Sequence, residues 1–383
     1  MNRPLVIFVA SHPMSINCFL MPHIRALSSI ARVIVFTNQG SPHSTFKLPS
    51  DISVISVPIL RKISPLNDLF SLFILFSYFI LLRPSAVHTI TPKAGLLGIT
   101  ASFLANVPLR VHFYTGQVWA TKRGLSHLIL KSFDRITSRM STCCLVDSPS
   151  QRRFLIDQFI IHPKRSLVLA SGSVCGINTV RFRPSASARN IARREMGASA
   201  DSFVFLFLGR LTQDKGILDL ARAFILLAQL NSKAELWIVG PDESDISSEI
   251  FKIISPSVSK VKRRDFTTTP ELFMQGADLF CLPSYREGFG SSVIEAAACG
   301  LPSLVSRIYG LTDAVLHGQT GLFHEPGNVD ELFSNMRVLM SSPETLHSMG
   351  RAAQQYAVHN FSESILTNAM LSFYIPRLVS LKC

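Results

Sequence analysis

Phe203-Val-Phe-Leu-Phe-Leu-Gly-Arg-Leu-Thr-Gln-Asp-Lys-Gly216 leads directly into Ile217–Leu230. The opening run, Phe203–Gly209, is continuously apolar and closed by glycine, which reads as a strand buried on both faces. Over 217–230 the apolar positions Leu220, Ala221, Phe224, Leu227 and Ala228 follow the 3.6-residue period of a helix. Strand, tight turn and helix in direct succession are the unit of a parallel, doubly wound sheet. The turn presents Arg210 and Lys215 at one mouth, and Gly216 lets the chain enter the helix. A forked guanidinium and a compact ammonium beside a positive helix terminus suit a diphosphate.

The same alternation extends outward in both directions. Upstream, strands are predicted at Leu5–Ala10, Ala31–Thr37, Ile52–Ile59, Ala86–Ile90, Leu109–Phe113 and Cys143–Asp147. A loop and helix fill His12–Ser29, and Thr91-Pro-Lys-Ala-Gly95 opens another helix with proline in its first turn. Downstream, strands are predicted at Glu235–Val239, Leu279–Pro283 and Leu304–Ser306. The alternation lapses over Pro163–Arg194, where turn-forming and basic residues accumulate. A length of 383 residues suits two domains of ~150–200 each. The expected fold class is therefore α/β, with two Rossmann-like lobes, 1–178 and 179–360. A last helix near Ser362–Phe373, within 361–383, would pack back across the split. Ligands of open α/β sheets bind beyond the carboxyl ends of the strands, so the cleft between lobes is the expected site.

Charge separates the two halves. Residues 1–200 carry 23 Lys/Arg against 6 Asp/Glu, and residues 201–383 carry 15 against 19. Such asymmetry points to a polyanion facing one lobe. The basic residues stand beside aliphatic runs, as Arg61-Lys62 do before Leu69–Leu82, rather than among stacking aromatics. That pattern favours an anionic membrane surface over nucleic acid, with a solvated basic face as the plain alternative. The run Leu69–Leu82 is shorter than the ~20 residues of a spanning helix. It reads either as a core helix or as a helix lying in the lipid interface. Seven scattered cysteines show neither metal-ligand nor disulfide spacing and fit a reducing cytosol. Leu5–Ala10 is expected to enter the fold as a strand rather than act as a signal peptide.

A second constellation is Pro283-Ser-Tyr-Arg-Glu-Gly-Phe-Gly-Ser-Ser-Val-Ile-Glu-Ala-Ala-Ala-Cys-Gly-Leu-Pro302. Gly288 and Gly290 let backbone amides approach an anion, and Ser291 and Ser292 are expected to cap the following helix. Glu287 lies on the loop and Glu295 two helical turns in. One carboxylate can meet the sugar end of a ligand while the other meets its ribose hydroxyls.

Gly-Arg-Leu-x-x-x-Lys-Gly, then Gly-Pro-Asp-Glu, then Glu-Gly-Phe-Gly-x-x-x-x-Glu resembles glycosyltransferase family 4, a retaining group with the GT-B fold. The resemblance is specific over about 203–325. Thr91–Gly95, Thr115-Gly-Gln-Val-Trp119 and Gly172-Ser-Val-Cys-Gly176 resemble segments of members that build bacterial O-antigen and capsule polysaccharides. The resemblance implies that Gly209, Arg210 and Lys215 hold the donor diphosphate, and that Glu287, Gly288, Phe289 and Gly290 hold the donor sugar. Ser291 and Ser292 would assist there, and Glu295 would hold the ribose. Gly240, Pro241 and Phe266 would flank the base. Where relatives commonly carry Asp, this chain has Asn178, which puts a charged hinge role there in doubt.

In the first lobe His112 follows an apolar strand and reads either as a satisfied strand-end histidine or as a hydrogen-bond partner of the sugar. His12, Ser15 and Asn17 lie on the first strand-to-helix loop and, with Lys93, Thr115 and Gly116, form the candidate acceptor side. His23 and His127 read as helix-surface residues. The chain has no Asp-x-Asp motif, so Arg210, Lys215 and helix amides are expected to neutralise the leaving group without metal or cofactor. The expected activity is retaining transfer of a sugar from a nucleotide diphosphate sugar, UDP by family resemblance, to a lipid-linked glycan acceptor. The expected setting is the cytoplasmic face of the membrane, held peripherally. A nucleotide-sugar 2-epimerase and a non-catalytic nucleotide-sugar-binding subunit are the rival readings.

Overall fold

A computed structural model describes residues 3–39, 52–60, 63–199 and 201–381. Arg61 and Lys62, the basic pair singled out in the sequence, lie outside the described residues. The chain divides into two units, residues 1–176 with 363–383, and residues 177–362. The division differs by about two residues from the expected 178 and 360. Ile177 and Ser362 form an isolated parallel bridge, and Ile177 N donates to Phe361 O at 2.7 Å, so both segments belong to one unit.

The first unit is built on seven parallel strands: β1 Leu5–Ala10, β2 Arg32–Thr37, β3 Ser53–Ser56, β4 Ala86–Ile90, β5 Leu109–Tyr114, β6 Cys143–Val146 and β7 Ser166–Val168. Their order is β3-β2-β1-β4-β5-β6-β7. β7 falls inside the stretch where the alternation lapses. Three residues next to Pro163, Lys164 and Arg165 leave no hydrophobic period to read. Helix Glu363–Ser380 completes this unit, burying Leu366, Met370, Phe373, Tyr374 and Leu378 in the same core as Leu20 and Ile24.

Helix Pro65–Leu82 settles the greasy stretch differently from a core reading. Ser71, Leu75 and Phe79, spaced at four residues, form its only buried stripe. Leu66 is 84% exposed, Phe73 65% and Leu81 75%. Helices Pro92–Leu104 and Gly124–Met140 pack beside it in turn. Leu104, Leu125 and Leu128 on those helices are also exposed. By composition this unit carries 20 Lys/Arg against 6 Asp/Glu.

The second unit has six parallel strands: β8 Phe203–Leu208, β9 Ala234–Val239, β10 Val261–Arg264, β11 Leu279–Leu282, β12 Ser303–Ser306 and β13 Gly321–His324. Their order is β10-β9-β8-β11-β12-β13. β8 pairs with β9 over its full length and with β11 at Phe205 and Leu206. The apolar run that opened the sequence reading is thus the middle of the sheet, with Val204–Phe207 fully buried.

Candidate active site

In the second sheet the strand order reverses between β8 and β11, and a crevice opens at such a switch point beyond the carboxyl ends. The loops following these two strands, 209–216 and 283–290, face each other there. Gly216 has a left-handed φ of +68°, and a Cβ on it would stand 1.9 Å from the Pro283 carbonyl oxygen. Only glycine permits that approach. Tyr285 N donates to Asp214 O at 2.8 Å, and Arg286 binds the Asp214 carboxylate at 3.1 Å. The two loops are therefore one locked structure. On it, Lys215 Nζ donates to Glu287 Oε1 at 2.5 Å. Ser284 Oγ donates to the same carboxylate oxygen at 2.8 Å. The catalytic candidates Lys215 and Glu287, 72 residues apart in sequence, are in direct contact.

Arg210 follows β8 and reaches Glu243, on the loop after β9, at 2.7 Å. Both side chains stay substantially exposed. Gly209 N donates to Val239 O at 3.0 Å, Leu211 N to Pro241 O at 2.8 Å and Gly240 N to Arg264 O at 2.9 Å. These bonds tie the carboxyl ends of β8, β9 and β10 into a single edge that carries Gly209, Arg210, Gly240 and Pro241. Phe266 stands exposed just beyond β10. Glu295, in helix Ser291–Ala298, makes neither hydrogen bond nor ion pair with Lys215 or Glu287 among the described residues. Its surroundings are Arg181 and Glu271, themselves paired at 2.7 Å, with Arg181 also bonded to Thr268 O. Burial pushes the Glu295 carboxyl up to about 7, with Arg181 opposing the rise and Glu271 adding to it.

One expectation on this loop is corrected. Ser291 and Ser292 do not cap their helix. The cap is Gly290, in a left-handed conformation with φ +82°, and no side chain accepts from the first-turn amides. Those amides are left to other acceptors. The Phe289 side chain is 2% exposed and packs edge-on against Phe361. Only its backbone remains on the loop beside Gly288.

The first sheet reverses between β1 and β4. Here Ser11 Oγ and Thr91 Oγ1 lie 3.0 Å apart, joining the loops that follow those two strands. Sequence reasoning singles out neither hydroxyl for this role. His12 accepts from Met14 N at 3.1 Å and caps its own turn. Ser15 is half-buried, and Asn17 is exposed on the π-type turn Ile16–Leu20. Lys93 pairs with Asp68 at 2.6 Å. The Thr115 carbonyl accepts from the side-chain amides of Gln117 and Gln151, and Gly116 beside it is half-exposed.

His112 is not at a strand end but fourth in β5, and its ring is 2% exposed. Nδ1 is bonded to Thr89 Oγ1 at 2.8 Å, and the ring lies against Gly95. Burial pushes its pKa down to about 3, so the imidazole is neutral at physiological pH. His23 is a correction of the same kind. It is fully buried and bonded to Val174 O at 2.6 Å, because the last helix covers the face it occupies. Among the described residues no three His, Cys, Asp or Glu side chains converge as a metal site would require.

Residues 188–356 match the family described as glycosyl transferases group 1, and residues 23–172 match the glycosyl transferase 4-like domain. The chain belongs to the group 1, family-4-like glycosyltransferases. This glycosyltransferase is 27% identical to the capsular polysaccharide biosynthesis glycosyltransferase CapM of Staphylococcus aureus, over 83% of either chain. It is 25% identical to an Escherichia coli enzyme named UDP-Gal:alpha-D-GlcNAc-diphosphoundecaprenol alpha-1,3-galactosyltransferase, covering 87% of this chain and 86% of that one. Among solved structures it is similar to Anabaena HepE in complex with UDP and glucose, with a TM-score of 0.82 at 19% identity, over 97% and 99% of the two chains. WaaG, a glycosyltransferase involved in lipopolysaccharide biosynthesis, superposes with a TM-score of 0.77 at 16% identity, over 96% and 99%. At such identities these structures speak for the fold, which is GT-B.

Proposed function

We propose that this glycosyltransferase moves a sugar from a UDP-sugar to a lipid-linked glycan in the assembly of a bacterial surface polysaccharide. The observation that carries the reading is the Lys215–Glu287 contact at the switch point of the second sheet. The names of its relatives supply the class of acceptor, since one of them is named for a diphosphoundecaprenol substrate.

In this reading the diphosphate displaces Glu287 as the partner of Lys215 and also engages Arg210 and the uncapped amides after Gly290. Glu287 is thereby released to accept from hydroxyls of the donor sugar. Glu295 accepts from the ribose, and Phe266, Gly240 and Pro241 flank the base. The bond from the anomeric carbon to the diphosphate breaks while a bond to the acceptor oxygen forms on the same face. The acceptor proton passes to the departing diphosphate, and configuration is retained. The negative charge that develops is met by Lys215 and Arg210 rather than by a metal. For His112 we propose a neutral hydrogen bond to the sugar, with the ring fixed by Thr89. His12, Ser15, Asn17, Lys93, Thr115 and Gly116 are assigned to the acceptor.

We further propose that the protein works on the cytoplasmic surface of the membrane. The exposed apolar side of Pro65–Leu82 enters the lipid interface, and the basic excess of its unit complements anionic lipid. By length and composition this 18-residue helix is apolar enough to cross a membrane. Its stripe of Ser71, Leu75 and Phe79, however, is packed against its own unit, which supports a helix lying in the interface with only its outer side in lipid.

A thermal-shift screen of nucleotide sugars, followed by radiolabel transfer to undecaprenyl-diphosphate glycans, tests this function. UDP-sugars should raise the melting temperature, and label should move to lipid. Undiminished transfer by Arg210→Ala would refute the diphosphate assignment.

A further inference from the structure

The amino ends of β5, β6 and β7 lie on the side of the first sheet opposite the loops that carry the acceptor candidates. With the last helix they line an open pocket of about 330 Å³. That volume is at the small end of the range for pockets that hold organic ligands. Leu109, Cys143 and Leu167 give it apolar walls, and Lys164, Arg165 and Arg377 bring three cations to it. All of these residues belong to one unit.

Cations without a carboxylate are common in this unit, where among the described residues Lys93 is the one seen to hold an acid, Asp68. What sets three of them apart is that they line one pocket. Among the described residues, Lys164, Arg165 and Arg377 hold none. Arg377 is nonetheless fixed in place. Its Nη1 donates to Phe373 O at 2.7 Å, and its guanidinium lies 4.1 Å from the centre of the Phe373 ring. Arg165 donates to Ser141 O at 3.4 Å. A guanidinium has five N–H donors, so each keeps several for a ligand. Cys143 does not neutralise them: burial pushes its thiol up to about 11 despite Arg377 beside it. Three like charges around one cavity repel one another until an anion joins them, and planar guanidinium groups select oxyanions.

We propose that this cavity is a second ligand site, for a phosphate ester with a small apolar body, separate from the donor and acceptor sites. The ester is either a free phosphorylated metabolite or the headgroup of a phospholipid.

Two arms of one experiment on the whole protein distinguish these sources. Calorimetric titration with n-butyl phosphate reads the free ester. Flotation with phosphatidylcholine vesicles, with and without phosphatidic acid, reads the headgroup. Because the basic unit as a whole also favours acid lipid, the cavity is separated from attachment through Pro65–Leu82 by substitutions at Arg165 and Arg377, which leave that helix untouched. Saturable binding is expected in at least one arm. It should weaken about tenfold in Arg165→Gln and again in Arg377→Gln, with UDP-sugar binding unchanged. Should Arg377→Gln fail to fold, Arg165→Gln and Lys164→Gln, both exposed positions, decide the matter alone. The proposal is overturned if neither probe binds at millimolar concentration, or if the substituted proteins bind as well as the parent.

Discussion

Both units carry a bridge across the point where strand order reverses, and the two bridges differ in kind. In the first unit it is hydroxyl to hydroxyl, Ser11 to Thr91 at 3.0 Å. In the second it is ammonium to carboxylate, Lys215 to Glu287 at 2.5 Å. The surrounding chemistry follows the same division. Around the first bridge His112 is neutral and covered, and Lys93 is paired with Asp68. Around the second, Arg210 and Glu243 stand largely in solvent, and helix amides lack side-chain caps. Charge is displayed where a diphosphate would bind. Away from that edge it is the first unit that is basic, together with an uncovered apolar helix. The comparison teaches that one doubly wound plan displays its exposed groups either at the reversal point or on the outer helical layer.

The sharpest way to break this contrast is to remove the second bridge. Lys215→Ala should lower kcat/KM for sugar transfer by about 10²–10³, the scale of losing one donor to developing charge. Glu287→Ala should do comparable harm, whereas Ser11→Ala should cost far less. Equal losses at the two bridges, measured by radiolabel transfer, would erase the distinction drawn here.

The outer layer gives the next largest effect. Phe70→Ser with Phe73→Ser removes two exposed rings from Pro65–Leu82. Each buried ring is worth about 1.5–3 kcal/mol, so vesicle partitioning should fall by at least about tenfold per ring while the melting temperature holds. Unchanged sedimentation with vesicles would show that this helix meets something other than lipid.

The smallest effect is a pH dependence. The Glu295 carboxyl titrates near 7 in the folded protein, above the ordinary ~4.3, so it is mostly neutral at pH 6 and ionised at pH 8. A carboxylate accepts from two ribose hydroxyls where the neutral acid accepts less well. UDP affinity should therefore weaken several-fold as pH falls from 8 to 6, and Glu295→Gln should flatten that profile. An identical profile in the variant would place the titrating group elsewhere.

The second unit is the more legible of the two in the sequence. Phe203–Gly216 announces strand, turn and helix through composition and period. Placing two such turns side by side brings Lys215 and Glu287 to one mouth, though their direct pairing is seen only in the structure. What escapes is local geometry. A left-handed glycine caps the helix where two serines stand ready, and the ring of Phe289 turns into the core because Phe361 is there to receive it. In the first unit the fate of His112 and His23 depends on partners far along the chain. Gly95 leaves room for one ring, and Val174 supplies an acceptor for the other. Hydrophobic period registers neither kind of partner. The strand Ser166–Val168 is simply too short to show a period at all.

The helix Glu363–Ser380 has a consequence for synthesis. It supplies five core side chains to the first unit, and Tyr374 reaches His88 at 2.8 Å, yet it is translated only after residues 177–362. A ribosome therefore makes the whole intervening unit, which is continuous in sequence, before the earlier one is able to close. Until then the nascent chain keeps the surface around Leu20, Ile24 and His88 open to water. A premature stop just after Ser362 would spare the later-made unit and leave the earlier one a client for chaperones.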